Sequence, residues 1–285
     1  MTGCLRTLVM SVAAALLAAL SAVASGHGPV FALATPTNVK GGWSLDLGTM
    51  GRVGSLDSGV MERAMLTYGI TPDLQISVSG PIIFSSAPLA PGRVTAMMPA
   101  TGDYEAIGAW RFQRRDIAVG SRDETTAYAG IILPGNQKPP GLLGQLPWAP
   151  GVLGMIVTGY ASRANYVWAG VGGMHFHESD GDRRPDMLMY SLVYGYRPEF
   201  LRKDYPHWDG RFFVEMNGEY SNRVLHDGVR VPGTNGGQVF LGPTTLWIYK
   251  KYGIEGGIQW PVFRNTGPRF EHESYRFAID LSYFF

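Results

Sequence analysis

Tyr275-Arg276-Phe277-Ala278-Ile279-Asp280-Leu281-Ser282-Tyr283-Phe284-Phe285 closes the chain. Tyr275, Phe277, Ile279, Leu281, Tyr283 and Phe285 are apolar, and Arg276, Ala278, Asp280 and Ser282 fall between them. Successive side chains of a strand point to opposite faces, so this strict period of two predicts a strand with one greasy and one wet face. The same alternation runs upstream. Leu74, Ile76, Val78 and Ile82 oppose Gln75, Ser77 and Ser79, and Phe212, Val214, Met216 and Tyr220 oppose Arg211, Glu215, Asn217 and Glu219. Ile254, Ile258, Trp260 and Val262 oppose Glu255 and Gln259, while Trp43, Leu45 and Leu47 oppose Ser44, Asp46 and Arg52.

The pattern predicts about twelve strands, near 43–53, 60–70, 74–83, 103–113, 124–134, 153–162, 165–177, 186–197, 210–221, 238–249, 252–263 and 274–285. Most are longer than the ~5–6 residues usual in soluble proteins and match the ~9–11 that cross a bilayer at a tilt. No later stretch reads as a membrane helix, because the longest uncharged run, 139–162, is broken by Pro139, Pro140, Pro147 and Pro150. In lipid every backbone amide needs a partner, so a sheet crosses only when it closes on itself. The expected fold is all-β, a transmembrane antiparallel up-and-down barrel of about twelve strands over 43–285. A soluble sandwich also alternates, but its strands are shorter and its last residues need not be aromatic.

The amino end has a separate character. Arg6 precedes an apolar run, Leu8 to Leu20, and then Ala22-Val23-Ala24. This is the pattern of a secretory signal peptide over 1–24, and the run is short of the ~20 residues that an anchoring helix needs. Cys4, the one cysteine, lies ahead of that run, so the mature chain would have no disulfide, thiol nucleophile or zinc ribbon. Residues 25–42, with Pro29 and Pro36, are expected to form either a periplasmic tail or a plug in the lumen.

Composition fits a membrane wall. Of 285 residues, 24 are Lys or Arg and 23 are Asp or Glu, giving 16% charged and a net charge of +1. That balance excludes a self-repelling disordered chain and gives no positive field for nucleic acid. The 38 Gly residues are about twice the usual share, as expected where large aromatics must pack beside small residues.

Loop lengths predict an orientation. Ile70-Thr71-Pro72-Asp73, Ser162-Arg163-Ala164-Asn165 and Lys250-Lys251 are tight and follow even strands, whereas 84–102, 135–152 and 222–237 are long and follow odd ones. Both termini are then periplasmic, with 198–209 and 54–59 as exceptions to the rule of lengths. Tyr68, Tyr166, Trp168, Tyr196, Tyr249 and Tyr252, near strand ends, are expected in the interfacial aromatic girdles.

The terminal Tyr283-Phe284-Phe285 resembles the assembly signal of outer-membrane proteins, which implies recognition of Tyr283 and Phe285 by the barrel-assembly machinery. Tyr68-Gly-Ile-Thr-Pro-Asp-Leu-Gln-Ile-Ser-Val-Ser-Gly-Pro81, echoed by Lys251-Tyr-Gly-Ile-Glu-Gly-Gly-Ile-Gln-Trp-Pro261, resembles hairpins of small outer-membrane barrels of the phenol meta-pathway transporter type. That resemblance implies an outer-membrane location and a transport-related role. It names no solute.

Parity places Asp46, Arg52, Arg63, Glu105, Arg111, Glu215, Asn217, Glu219, Glu255, Gln259, Arg276 and Asp280 in the lumen, as a possible solute path. These charges either line a conduit or pair across it and fill it. His175-Phe176-His177-Glu178-Ser179-Asp180 offers imidazoles and carboxylates, and His175, His177, Glu178 and Asp180 form a candidate divalent-metal set. An ordinary acidic outer loop reads the same way. An enzyme is the rival class: Glu219-Tyr220-Ser221-Asn222 offers Ser-Asn, but a Glu stands where an outer-membrane phospholipase has its His base. Loops 84–102 and 135–152, rich in Pro, Ala and Leu, read as lids folded over the mouth more than as the surface of an adhesive barrel. The function expected is a narrow channel or facilitator for a small solute, with no cofactor required. The partners expected are outer-membrane lipid and that solute, and not nucleic acid.

Overall fold

The computed structural model describes residues 28–54, 58–95, 102–135, 137–147, 149–202 and 206–285. Residues 1–24, for which the sequence predicts a signal peptide, with Cys4 and Arg6, lie outside them. The chain forms strands β1 (Trp43–Gly54), β2 (Ser58–Thr71), β3 (Leu74–Ser86), β4 (Tyr104–Ala118), β5 (Ser121–Leu133), β6 (Gly151–Ala161), β7 (Asn165–Phe176), β8 (Met187–Tyr196), β9 (Asp209–Ser221), β10 (Leu225–His226), β11 (Val229–Arg230), β12 (Gly236–Tyr249), β13 (Tyr252–Thr266) and β14 (Glu273–Phe284). β10 and β11 make a small separate hairpin, and the other twelve strands close an antiparallel barrel in which each pairs with its sequence neighbour and β1 pairs with β14. Closure is completed at the strand ends, where the Trp43 amide donates to the Phe285 carbonyl at 2.9 Å and the reverse bond spans 3.0 Å.

Each predicted strand is present, and the wall has the expected two faces. Val78, Ile82, Ile279 and Leu281 are at least half exposed, while Ser44, Asp46, Thr67 and Ser282 on the other parity are buried. A continuous apolar exterior of this size is unfavourable in water and natural in lipid. Large rings outside lean on small residues. The Tyr190 ring lies over Gly218 and the Tyr104 ring over Gly80, each where a Cβ would have to stand.

Three expectations need adjustment. β4 and β5 run on past 113 and start before 124, meeting at a turn with Gly120 at φ 76°. Arg114, Arg115, Asp116, Ile117 and Val119 in this extension are exposed, so it is held by backbone pairing without a greasy face, and periodicity could not mark it. Tyr166 and Trp168 are not girdle residues: they are buried inside the barrel against Phe213. The β10–β11 hairpin was not foreseen, although Asp227-Gly228, both at positive φ, is the turn signal for one. Outside, Trp43, Tyr68, Tyr252, Tyr283 and Phe285 form a contiguous belt of rings at the end that carries the tight turns.

The tight turns 72–73, 119–120, 162–164 and 250–251 gather at the end that also holds both termini of the barrel, and the long connections leave the opposite end. The 197–208 connection at the turn end is compacted by a 3-10 turn at Glu199–Leu201 and by Arg197 paired to Asp209 at 2.6 Å.

Candidate functional site

Inside the barrel the described amino-terminal arm, 28–38, is bound to the wall by hydrogen bonds. The backbone N–H groups of Val30, Phe31 and Ala32 converge on the Glu215 carboxylate at 2.7, 2.9 and 3.0 Å. A carboxylate accepting several amides is a strong, charge-assisted arrangement, and Thr244 donates to the same group. Thr35 is gripped by three side chains from two strands: its hydroxyl donates to Glu124 of β5 at 3.0 Å and accepts from Trp168 Nε1 of β7 at 3.1 Å, and its carbonyl accepts from Thr126 of β5 at 2.7 Å. Tyr128 donates to the Ala34 carbonyl, and the Asn38 amide donates to Gln75 at 2.7 Å. Ala34 packs with Val157, Tyr166, Trp168, Phe213 and Leu246. The rings that sequence reading assigned to a girdle thus form the seat of the arm.

The long-loop end is filled by a second apolar cluster. Val94, Leu142, Leu143, Leu146, Val224 and Phe270 come from four different connections and pack onto Ile132, Leu153, Met174, Phe176, Met187 and Met189 of the inner wall. Backbone bonds tie the connections together, Val94 to Arg269 and Leu142 to Arg93. Arg184, also from a loop, is buried, pairs with Asp103 at 2.8 Å and lies 4.0 Å from the Phe176 ring. The loops are a packed cap over this end.

Between arm and cap lies a cavity of about 400 Å³. Phe31 of the arm, Met65, Met155 and Met189 line it, with Glu219, Glu255, Gln259, Arg276 and Asp280 on the polar side. All twelve charged or amide residues that parity placed in the lumen are buried or half-buried. Most are engaged. Arg63 pairs with Glu105 at 2.6 Å, and Arg111 spans Asp73 at 2.7 Å and Glu124 at 3.0 Å. Arg276 is held by Glu219 and Glu273, each at 2.5 Å, beneath the Phe240 ring at 3.6 Å. Gln259 donates to Asn217 at 2.8 Å. Asp46 accepts from Ser44 at 3.3 Å, and Arg52 is fully buried opposite Arg276 in the β1–β14 ladder. Glu215 holds the arm. Glu255 and Asp280 stand apart from these pairs.

Sequence reading missed Glu124, Thr35, Trp168 and Gln75 as interior contacts. Glu124 and Gln75 were visible as polar residues on predicted strands. No signal in the chain told that Thr35 and Asn38, in a proline-containing arm, meet Glu124 and Gln75.

The candidate metal residues His175, His177, Glu178 and Asp180 are all exposed, and His175 Nδ1 is 2.8 Å from Asp186. Among the described residues, the ligand atoms that do converge, within 4.8 Å, are those of Asp182, His226 and Asp227. The Asp227 amide donates to Asp182 at 2.7 Å, and His226 lies 2.9 Å from it. Burial raises the Asp182 carboxyl, but the Asp227 amide and the His226 ring lower it more, leaving it below its ordinary 3.8. Ser221 and Glu219 both face the interior, buried, with Glu219 committed to Arg276. Neither reaches the lipid face on which a phospholipase dyad would work.

A closed barrel of twelve antiparallel strands with an apolar exterior and a polar, partly filled interior defines a β-barrel of the outer-membrane type. Known structures agree with that class. The fold is similar to the COG4313 outer membrane channel from Pseudomonas putida F1, at 11% identity and a TM-score of 0.65, covering 88% of this chain and 98% of that one. It is also similar to the NanC porin, at 8% identity and a TM-score of 0.51, covering 84% of this chain and 98% of that one. LpxR from Salmonella typhimurium aligns at a TM-score of 0.46 and 9% identity, over 85% of this chain and 100% of that one. No family model and no curated protein matches the sequence.

Proposed function

We propose that the protein is an outer-membrane channel for a small solute, closed at rest by its own arm and loop cap. The observation that carries this reading is the nature of the arm's seat. A segment meant only to fill a core would be packed by apolar side chains. This one, besides the apolar seat of Ala34, is held by backbone and side-chain hydrogen bonds to lumen groups such as Glu215 and Thr126, which water can replace one for one when the arm withdraws. The likeness of the fold to the COG4313 outer membrane channel and to the NanC porin supports the reading. The Tyr68–Pro81 and Lys251–Pro261 hairpins, with their likeness to the phenol meta-pathway transporter type, support it too.

The orientation that fits is periplasmic for both termini, with the tight turns inside and the cap outside. Tags inserted at 179–181 should be reached by antibody on intact cells, and tags at 250–251 only after the outer membrane is opened. The functional test is conductance in planar bilayers. The full mature chain is expected to give small or infrequent steps, and a chain lacking 25–42 larger and steadier ones. Silence from both, with the barrel folded, would sink the channel reading and favour a structural barrel.

A further inference from the structure

Glu255 on β13 and Asp280 on β14 are direct cross-strand partners. Their side chains share the inner face with Cβ atoms ~4.5–5.5 Å apart, and like charges so placed destabilise a sheet. Asp46 on β1 is a near neighbour, since β1 pairs Asp46 with Ser282 and Gly48 with Asp280. Gly48 leaves the Asp280 carboxylate its room: a Cβ there would meet Oδ2 at 2.6 Å.

Other acids of the lumen have answering groups. Glu105, Glu124 and Glu219 each carry an arginine, and Glu215 holds three amides of the arm. Among the described residues, Glu255 and Asp280 have no basic partner. Glu255 Oε2 is buried with no hydrogen-bond partner, and Asp280 has only the Ser282 hydroxyl, at 3.5 Å. Both line the cavity. A second observation is independent of these charges: Gln259, fully buried, lines the same cavity, and its Oε1 is also without a partner. Two acceptors on residues that line one cavity, Glu255 Oε2 and Gln259 Oε1, therefore have no donor from the chain, and Asp280 beside them has a single distant one.

Part of the remaining lining, away from Glu219 and Arg276, has the opposite character. Met50, Met65, Met155, Met174, Met189 and Phe31 contribute thioethers and a ring. Methionine is polarisable and adapts its shape to varied apolar partners. An aromatic face attracts cations. Two adjacent carboxylates either share a proton or hold a positive charge between them.

We propose that this cavity is a binding site for an organic cation, a small amine whose ammonium sits between Glu255 and Asp280 with Gln259 as a further acceptor and whose apolar body lies on the methionine wall. This names the solute class of the channel, and in that respect rests on the channel reading. The site itself requires only the cavity.

The test uses the folded, full-length mature protein in detergent, titrated calorimetrically with benzylamine and with benzyl alcohol, its uncharged counterpart of similar shape. Wild type is expected to bind benzylamine at least about ten-fold more tightly, an electrostatic preference that Glu255→Gln/Asp280→Asn removes. The single Glu255→Gln, which keeps the heavy-atom count and relieves repulsion, should lose most of it while folding normally. Equal binding of the two probes, no binding of benzylamine, or a preference unchanged in the variants would overturn the proposal. Conductance on the same samples separates the two readings. Steps without amine preference remove the cation site and leave the channel, whereas amine preference without steps removes the channel and leaves the site.

Discussion

The amide of Val30 donates to Glu215 Oε1 at 2.7 Å across 185 residues of sequence. With Phe31 and Ala32 on the other oxygen, it makes one carboxylate of β9 the anchor of the amino-terminal arm. A hydrogen bond to a charged group contributes about 1.5–3 kcal/mol. Glu215→Ala should therefore release the arm locally while the twelve-strand ladder stays intact. Amide hydrogen exchange at 30–32 is expected to speed up at least ~10-fold, with exchange in β9 unchanged. Exchange that stays slow in the variant would mean the apolar contacts of Ala34 suffice to hold the arm.

Arg276 is a different kind of anchor. It neutralises Glu219 and Glu273 at 2.5 Å each and stacks under Phe240, so its removal leaves two buried carboxylates uncompensated. Breaking a buried pair from one side costs about 3–5 kcal/mol, whereas replacing all partners can be nearly neutral. Arg276→Met should lower the thermal midpoint of the barrel, read as the loss of the compact form on unheated gels. Arg276→Met/Glu219→Gln/Glu273→Gln should recover most of it. A single variant as stable as wild type would show that water already solvates this cluster.

These two anchors mark the limit of what the chain reveals when read alone. Strand number, closure and the inner or outer face of Asp46, Glu215 or Ile279 follow from a period of two, because a one-residue slip would turn every side chain to the wrong solvent. Glu215 was legible as a lumen residue but not as the receptor for Val30, because non-local partners leave no local pattern. Trp168 shows the converse error. An aromatic near a strand end suits an interface, yet its parity, shared with Tyr166, points inward, and parity decides. The Glu255–Asp280 pair needed the register of β13 on β14, which depends on loop geometry that periodicity does not encode.

The cap predicts a local cost of truncation. Leu146 is fully buried in the cluster formed by the long connections and the inner wall. Large-to-small substitution at such a site costs about 2–5 kcal/mol through lost burial and a residual void. Because the cap is carried by loops, Leu146→Ala should loosen it before the barrel is affected. Limited proteolysis is expected to cut within 134–150 several-fold faster, with the barrel core remaining resistant. Global melting without faster loop cleavage would show that cap and barrel unfold as one unit.

Acid should act on the contact between the loop at 177–186 and the β10–β11 hairpin. Asp182 accepts from the Asp227 amide and the His226 ring, and these hold its carboxyl below the ordinary 3.8 despite the opposing effect of burial. A carboxyl depressed in the folded state stabilises it fully above the ordinary value, and the contribution is lost as pH falls through the lower folded value. Exchange protection of the Asp227 amide is therefore expected to be level from pH 7 to 5, after allowing for intrinsic rates, and to fall only below about 4. Asp182→Asn should show reduced protection at neutral pH and no further loss in acid. Loss of protection in wild type already near pH 6 would contradict this, because the group responsible would then be an imidazole and not Asp182.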